Sequence, residues 1–140
     1  MIHLNSRDPR PIYEQIMDNL TKSGVVVAIS AGSNITLLED QIREFHPKLV
    51  AVWNEKKAEE LKVLIADVIP ACKVVSGMEG LLEVATIEES DILITAVVGM
   101  IGIRPTIAAI HAGKNIGLAN KETLVTAGHI IMPLARENKV

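Results

Sequence analysis

Three consecutive residues, Asn120, Lys121 and Glu122, set an amide, an ammonium and a carboxylate side by side in the run Gly117-Leu-Ala-Asn-Lys-Glu-Thr-Leu-Val125. An ammonium attracts phosphate or carboxylate, and an amide donates and accepts hydrogen bonds at once. The run falls where an apolar strand pattern ends and a helical pattern begins. Ligands of open α/β sheets bind at the carboxyl ends of strands, so these side chains would project to where a cofactor and an anionic substrate meet. Taken alone, the run also reads as a plain helix start, with Asn120 as the cap and Lys121 and Glu122 solvated in the first turn.

The other reactive residue types are scattered. His3, His46, His111 and His129 lie in different segments without metal-ligand spacing, which reads as helix ends or surface. Cys72, the only cysteine, cannot form an internal disulfide and reads as a small, partly buried apolar residue. Glu59-Glu60 and Glu88-Glu89 read as helix-surface charges, and Met17, Met78, Met100 and Met132 as core fillers. The turn Val98-Gly-Met-Ile-Gly102 could bring backbone close to a ligand or close to a neighbouring helix.

The elements that must position these groups follow from composition and periodicity. At 140 residues, 49% hydrophobic and 22% charged, the chain is read as one compact domain over residues 1–140. With aromatic residues at 2% (Tyr13, Phe45, Trp53), its core must be Ile, Val, Leu and Ala. The formal charge of −3 offers no general attraction for nucleic acid or anionic membranes, and three scattered rings make no base-stacking platform for a strand. No apolar run approaches the ~18 residues of a membrane span and no signal peptide is recognisable, so the expected compartment is the cytoplasm.

Short β-branched runs at 25–30, 49–53, 73–76, 91–96 and 115–119 alternate with helix-period stretches. The helices are expected at 35–45, capped by Ser33 or Asn34, and after Asn54 with a stripe of Ala58, Leu61, Leu64, Ile65 and Val68. Further ones run through Gly80 to about 85 and from Arg104 to Ala112, and two short pieces at 121–127 and 129–138 follow. This alternation predicts a Rossmann-like, three-layer α/β fold around a mostly parallel sheet. Residues 1–24 read as an atypical βα unit within it, with a strand Ile2–Ser6, a turn Arg7–Pro11 and a helix Ile12–Lys22.

The ordered set Ile94-Thr-Ala-Val-Val-Gly-Met-Ile-Gly102, Pro105–Ile110, His111-Ala-Gly-Lys114 and Ala119–Val125 closely resembles the N-terminal, NADPH-binding domain of the 1-deoxy-D-xylulose 5-phosphate reductoisomerase family. Ser30-Ala-Gly-Ser-Asn34 and Gln41–Lys48 match the same family in order, so the resemblance covers about residues 25–140. It implies an oxidoreductase of non-mevalonate isoprenoid biosynthesis that rearranges and reduces a sugar phosphate with NADPH and a divalent metal. By the same resemblance, Gly32, Ser33 and Asn34 lie near the adenosine ribose and 2′-phosphate, Asn120 and Glu122 contact the dinucleotide, and Lys121 sits at the substrate. Ser33 offers the 2′-phosphate only a hydroxyl and local amides, so cofactor choice is not legible in that loop.

Two departures qualify the resemblance. The family opens on a glycine-rich turn that cradles pyrophosphate, whereas Asn5-Ser-Arg-Asp-Pro-Arg-Pro11 has no glycine and two prolines. Residues 2–20 resemble instead the start of GntR-type transcription regulators, through Pro11-Ile-Tyr-Glu-Gln-Ile16, without a recognition helix or wing. Secondly, the family's Asp-Ser-Glu-type metal segment has no counterpart before Val140, so no catalytic residue and no divalent metal are expected here. The leading expectation is thus a truncated, chimeric NADPH-domain fragment, inactive alone and with weak or absent cofactor binding. The alternatives are a non-enzymatic module that self-associates through exposed surface or a swapped N-terminal helix, and a GntR-like regulator remnant.

Overall fold

A computed structural model describes residues 25–97, 99–119 and 121–140. The expected strand 2–6, helix 12–22 and GntR-like segment lie outside the described residues, as does Asn120.

Among the described residues, five strands alternate with five α-helices: β1 (Ala28–Ala31), α1 (Ile35–Phe45), β2 (Leu49–Val52), α2 (Glu55–Ile65), β3 (Lys73–Ser76), α3 (Gly77–Thr86), β4 (Ile92–Thr95), α4 (Ile103–His111), β5 (Asn115–Leu118) and α5 (Glu122–Asn138). A 3-10 turn, Gly99–Gly102, leads into α4. Each paired strand runs parallel to its neighbour, which requires a crossover of a dozen or more residues and so a helix between strands. The strands form two hydrogen-bonded sets, β1-β2-β3 and β4-β5. Ala28 pairs with Leu49 and Leu49 with Lys73; Ile92 pairs with Asn115.

All four residues of β2 are buried, as befits a strand covered on both faces. Val50 and Val52 share a core with Leu38 and Ile42 of α1 and with Ala58, Leu61 and Ile65 of α2. Leu49 and Ala51 alternate to the opposite face, where α3 packs across the strands. Gly80 makes that approach possible, because a Cβ there would stand 3.0 Å from Val75 Cγ2. α3 also packs on α4 and so joins the two strand sets. A second core unites Ile110 of α4 with Ala127 and Ile131 of α5.

Local signals explain the helix ends. Asn34 Oδ1 accepts from Leu37 N at 3.2 Å and Asn54 Oδ1 from Lys57 N at 3.1 Å, each satisfying an otherwise unpaired first-turn amide. α1 stops at His46, which takes a left-handed conformation (φ 49°) before Pro47.

Four expectations need correction. The last two helical pieces are one 17-residue helix, α5, because a glycine inside a helix costs only about 1 kcal/mol and packing on α4 outweighs it at Gly128. The α2 stripe is narrower than read: Leu64 and Val68 are exposed, since Ile65 already ends the helix against the core. Met100 and Met132 stand on the surface rather than in the core. Glu88-Glu89 lie in the turn after α3 rather than on a helix.

Cys72 is half-buried against the first core, and burial pushes its thiol pKa upward. A raised thiol pKa depletes the nucleophilic thiolate. Alkylation at pH 8 should therefore be slower in the native protein than in urea, measured by iodoacetamide labelling and mass spectrometry. Equal rates in the two states would contradict this. No helix among the described residues is long and apolar enough to cross a membrane.

Candidate functional site

Two groups of residues stand at the carboxyl ends of the parallel strands. The first is the turn after β1, where Gly32, Ser33 and Asn34 are all exposed. Ile35 N donates to Ser33 O at 3.0 Å, which tightens the turn, and capping of α1 engages Asn34 Oδ1 on an exposed side chain. A Cβ on Gly32 would meet nothing within 4 Å, so the space before this glycine is open to a ligand.

This turn is tied sideways to the end of β2. Trp53 N donates to Ala31 O at 2.9 Å and Asn54 N to Gly32 O at 3.1 Å, continuing the sheet ladder by two residues. Sequence reasoning did not join these residues. The pairing depends on the register between β1 and β2, which no local pattern encodes.

The second group lies where β5 enters α5. Ala119 N donates to Thr95 O at 3.0 Å, so the ends of β4 and β5 stay together. Lys121 takes the N-cap position and is exposed, making no side-chain cap bond. Glu122 Oε2 accepts from Gly99 N at 3.0 Å. Gly99 has a φ of 78°, a left-handed conformation that favours glycine, and the carboxylate holds that turn against the start of α5. Glu122 is thus more than a solvated first-turn acid. Gly102 is buried, and a Cβ there would make ordinary contact with Val97 Cβ at 3.4 Å.

Two clefts among the described residues lie elsewhere. One of about 500 Å³, lined by Thr86, Glu88, Ser90, Asp91, Lys114 and Asn115, opens at the amino ends of β4 and β5. Beside it, Lys48 Nζ donates to Glu89 Oε1 at 3.1 Å and thereby holds the Glu89 carboxyl below its usual range. Strand amino ends are not where open α/β sheets bind cofactors, so position outweighs cleft size in locating the site. Among the described residues no three His, Cys, Asp or Glu side chains gather as a metal site would require.

The family model for 1-deoxy-D-xylulose 5-phosphate reductoisomerase matches residues 14–128. A reductoisomerase of Lachnoclostridium phytofermentans is 58% identical over 115 residues, which is 82% of this chain and 29% of that protein. One from Agathobacter rectalis is 55% identical over 128 residues, 90% of this chain and 33% of that one. The solved reductoisomerase from Zymomonas mobilis in complex with NADPH superposes with a TM-score of 0.80 at 28% identity, covering 88% of this chain and 32% of its own. The described residues therefore have the Rossmann-like architecture of the NADPH-binding domain in these enzymes. Spanning about a third of the length of the curated relatives it matches, the chain belongs to the 1-deoxy-D-xylulose 5-phosphate reductoisomerase family.

Proposed function

We propose that this chain is an NADPH-binding unit of the reductoisomerase type that does not complete the isoprenoid-pathway reaction by itself. The observation that carries the reading is that the Gly32–Asn34 turn and the Lys121–Glu122 pair each follow the carboxyl end of a parallel strand, one in each strand set. NADPH, when bound, supplies hydride. The open space at Gly32, the Ser33 hydroxyl and the Asn34 amide suit an adenosine ribose and its phosphate, while Asn120 and Glu122 are assigned to the rest of the dinucleotide. Lys121 is assigned to attract the phosphate of the substrate across open solvent. No acid cluster among the described residues fits a divalent metal, so no step is derived through one.

The segment 5–11 has no glycine and two prolines, so it offers pyrophosphate few backbone amides and affinity should be weakened. Isothermal calorimetry with NADPH tests the reading. Saturable heat with a sub-millimolar dissociation constant is expected, and a millimolar or undetectable one would remove the cofactor role while leaving the fold intact.

A second reading, self-association, is favoured by the outer face of α5. Leu124, Val125 and Met132 lie on one side of the helix at 39%, 78% and 45% exposure. Apolar side chains gathered on one helix face mark contact surfaces. Sedimentation should show mass rising with concentration, and Val125→Glu should reverse it. A wild-type chain that stays monomeric at every concentration excludes this reading.

A further inference from the structure

Trp53 is the single tryptophan of the chain, and its position is unusual for so apolar a ring. The four residues before it are buried in β2, yet Trp53 is 40% exposed. It is also held beside the candidate nucleotide turn, since its own amide bonds Ala31 and the next amide bonds Gly32. Three residues on, Lys56 is exposed and makes no ion pair among the described residues. The other lysines of α2 differ: Lys57 is paired with Glu60 at 2.6 Å and Lys62 with Glu59 at 2.7 Å. Glu55, the acid of the same first turn, reaches toward Gly77, its Oε1 3.9 Å from where a Cβ there would stand.

A flat aromatic face and an uncommitted cation next to a nucleotide-type turn match a ligand that is itself a flat base carrying a nearby dianion. Ser33 cannot neutralise a 2′-phosphate, so a cation must come from another element, and the Trp53-Asn54 junction that leads into α2 is bonded to the turn. Resting on the dinucleotide reading above, we propose that Trp53 stacks on the adenine and Lys56 meets the 2′-phosphate, making this corner the part of the site that selects NADPH over NADH.

Because no other tryptophan contributes, intrinsic fluorescence reports on this corner alone. The protein is titrated with 2′,5′-ADP and with 5′-AMP while Trp53 emission is followed, and NADPH binding is measured separately by calorimetry. Emission should change saturably with 2′,5′-ADP. Trp53→Ala should weaken NADPH on the order of tenfold, as loss of one base–aromatic stack does, with Trp53→Phe keeping most of the affinity. Lys56→Ala should weaken 2′,5′-ADP several-fold more than 5′-AMP, a ratio that a purely structural role would leave unchanged. NADPH heat with unaltered emission and wild-type affinity in Trp53→Ala overturns the stacking proposal while leaving the cofactor reading standing. An unchanged ratio in Lys56→Ala overturns the phosphate half. Absence of both heat and emission change defeats the cofactor reading, and this proposal with it.

Discussion

Lys114→Ala should lower the stability of the fold by about 2–4 kcal/mol, with a fall in melting temperature of roughly 10 °C for a domain of this size. Lys114 is only 4% exposed, and its Nζ donates to the carbonyl oxygens of Ile87 and Ser90. Ile87 is the C-cap of α3, so the ammonium stands where the helix carbonyls concentrate partial negative charge. The same residue starts the approach to β5, where its amide donates to Ala109 O at 3.0 Å and the Asn115 amide to Asp91 O at 3.1 Å. Removing the side chain takes the ammonium from both carbonyls, although Ile87 O keeps the Ser90 amide at 3.2 Å. Water entering the adjoining cleft would satisfy part of that loss, which keeps the expected figure below that for two fully orphaned acceptors. Lys114→Met separates the terms, since it keeps the stem and removes the donors. Urea and thermal unfolding followed by circular dichroism measure both variants, and a methionine variant as stable as wild type would show that the ammonium contributes nothing.

Leu61→Ala is expected to cost about 3–4 kcal/mol, within the range for a fully buried leucine truncated in a core. Leu61 is 0% exposed and sits among Leu38, Ile42, Val50, Val52, Ala58 and Ile65, so residues from α1, β2 and α2 all line the space it fills. The β-branched side chains of Val50 and Val52 are restricted at χ1 and give way little, so the cavity should persist rather than collapse. Leu64→Ala is the control. Leu64 was expected in the same stripe but is 46% exposed, and its truncation should cost under about 1 kcal/mol. Urea denaturation with an unchanged slope distinguishes a stability loss from a change in the unfolded ensemble. Equal costs for the two leucines would mean that the helix turns a different face to β2.

The contrast between Leu61 and Leu64 shows where the sequence stops being legible. Apolar periodicity located α2 and its cap, but a stripe of five residues is wider than the face a helix buries on a sheet, and the excess falls into solvent. The α1 and α2 caps were legible for the opposite reason. An asparagine side chain reaches its own helix amides three residues away, so cap and helix are written in the same few residues.

The candidate site divides along the same line. The Gly32–Asn34 turn and the Lys121–Glu122 pair could be found as strand-to-helix junctions, and both stand at strand carboxyl ends. The contact of Glu122 with Gly99 spans 23 residues, and the ladder bonds from Trp53 and Asn54 back to Ala31 and Gly32 span 22. Nothing in either partner's neighbourhood announces such bonds, because they exist only once parallel strands have taken their register. Lys114 is the plainest case, since a lysine after Gly113 reads as surface until the turn 87–90 folds over it.

By itself, then, the sequence determined the order of strands and helices, the two best-capped helices and the family, because period, cap chemistry and motif order are properties of neighbouring residues. Only the tertiary structure decided which leucines are core, which lysine is buried and that Trp53 stands beside the Gly32–Asn34 turn. Those outcomes depend on strand register and on helices packing across it, where side chains far apart in the chain compete for the same space and the same backbone partners.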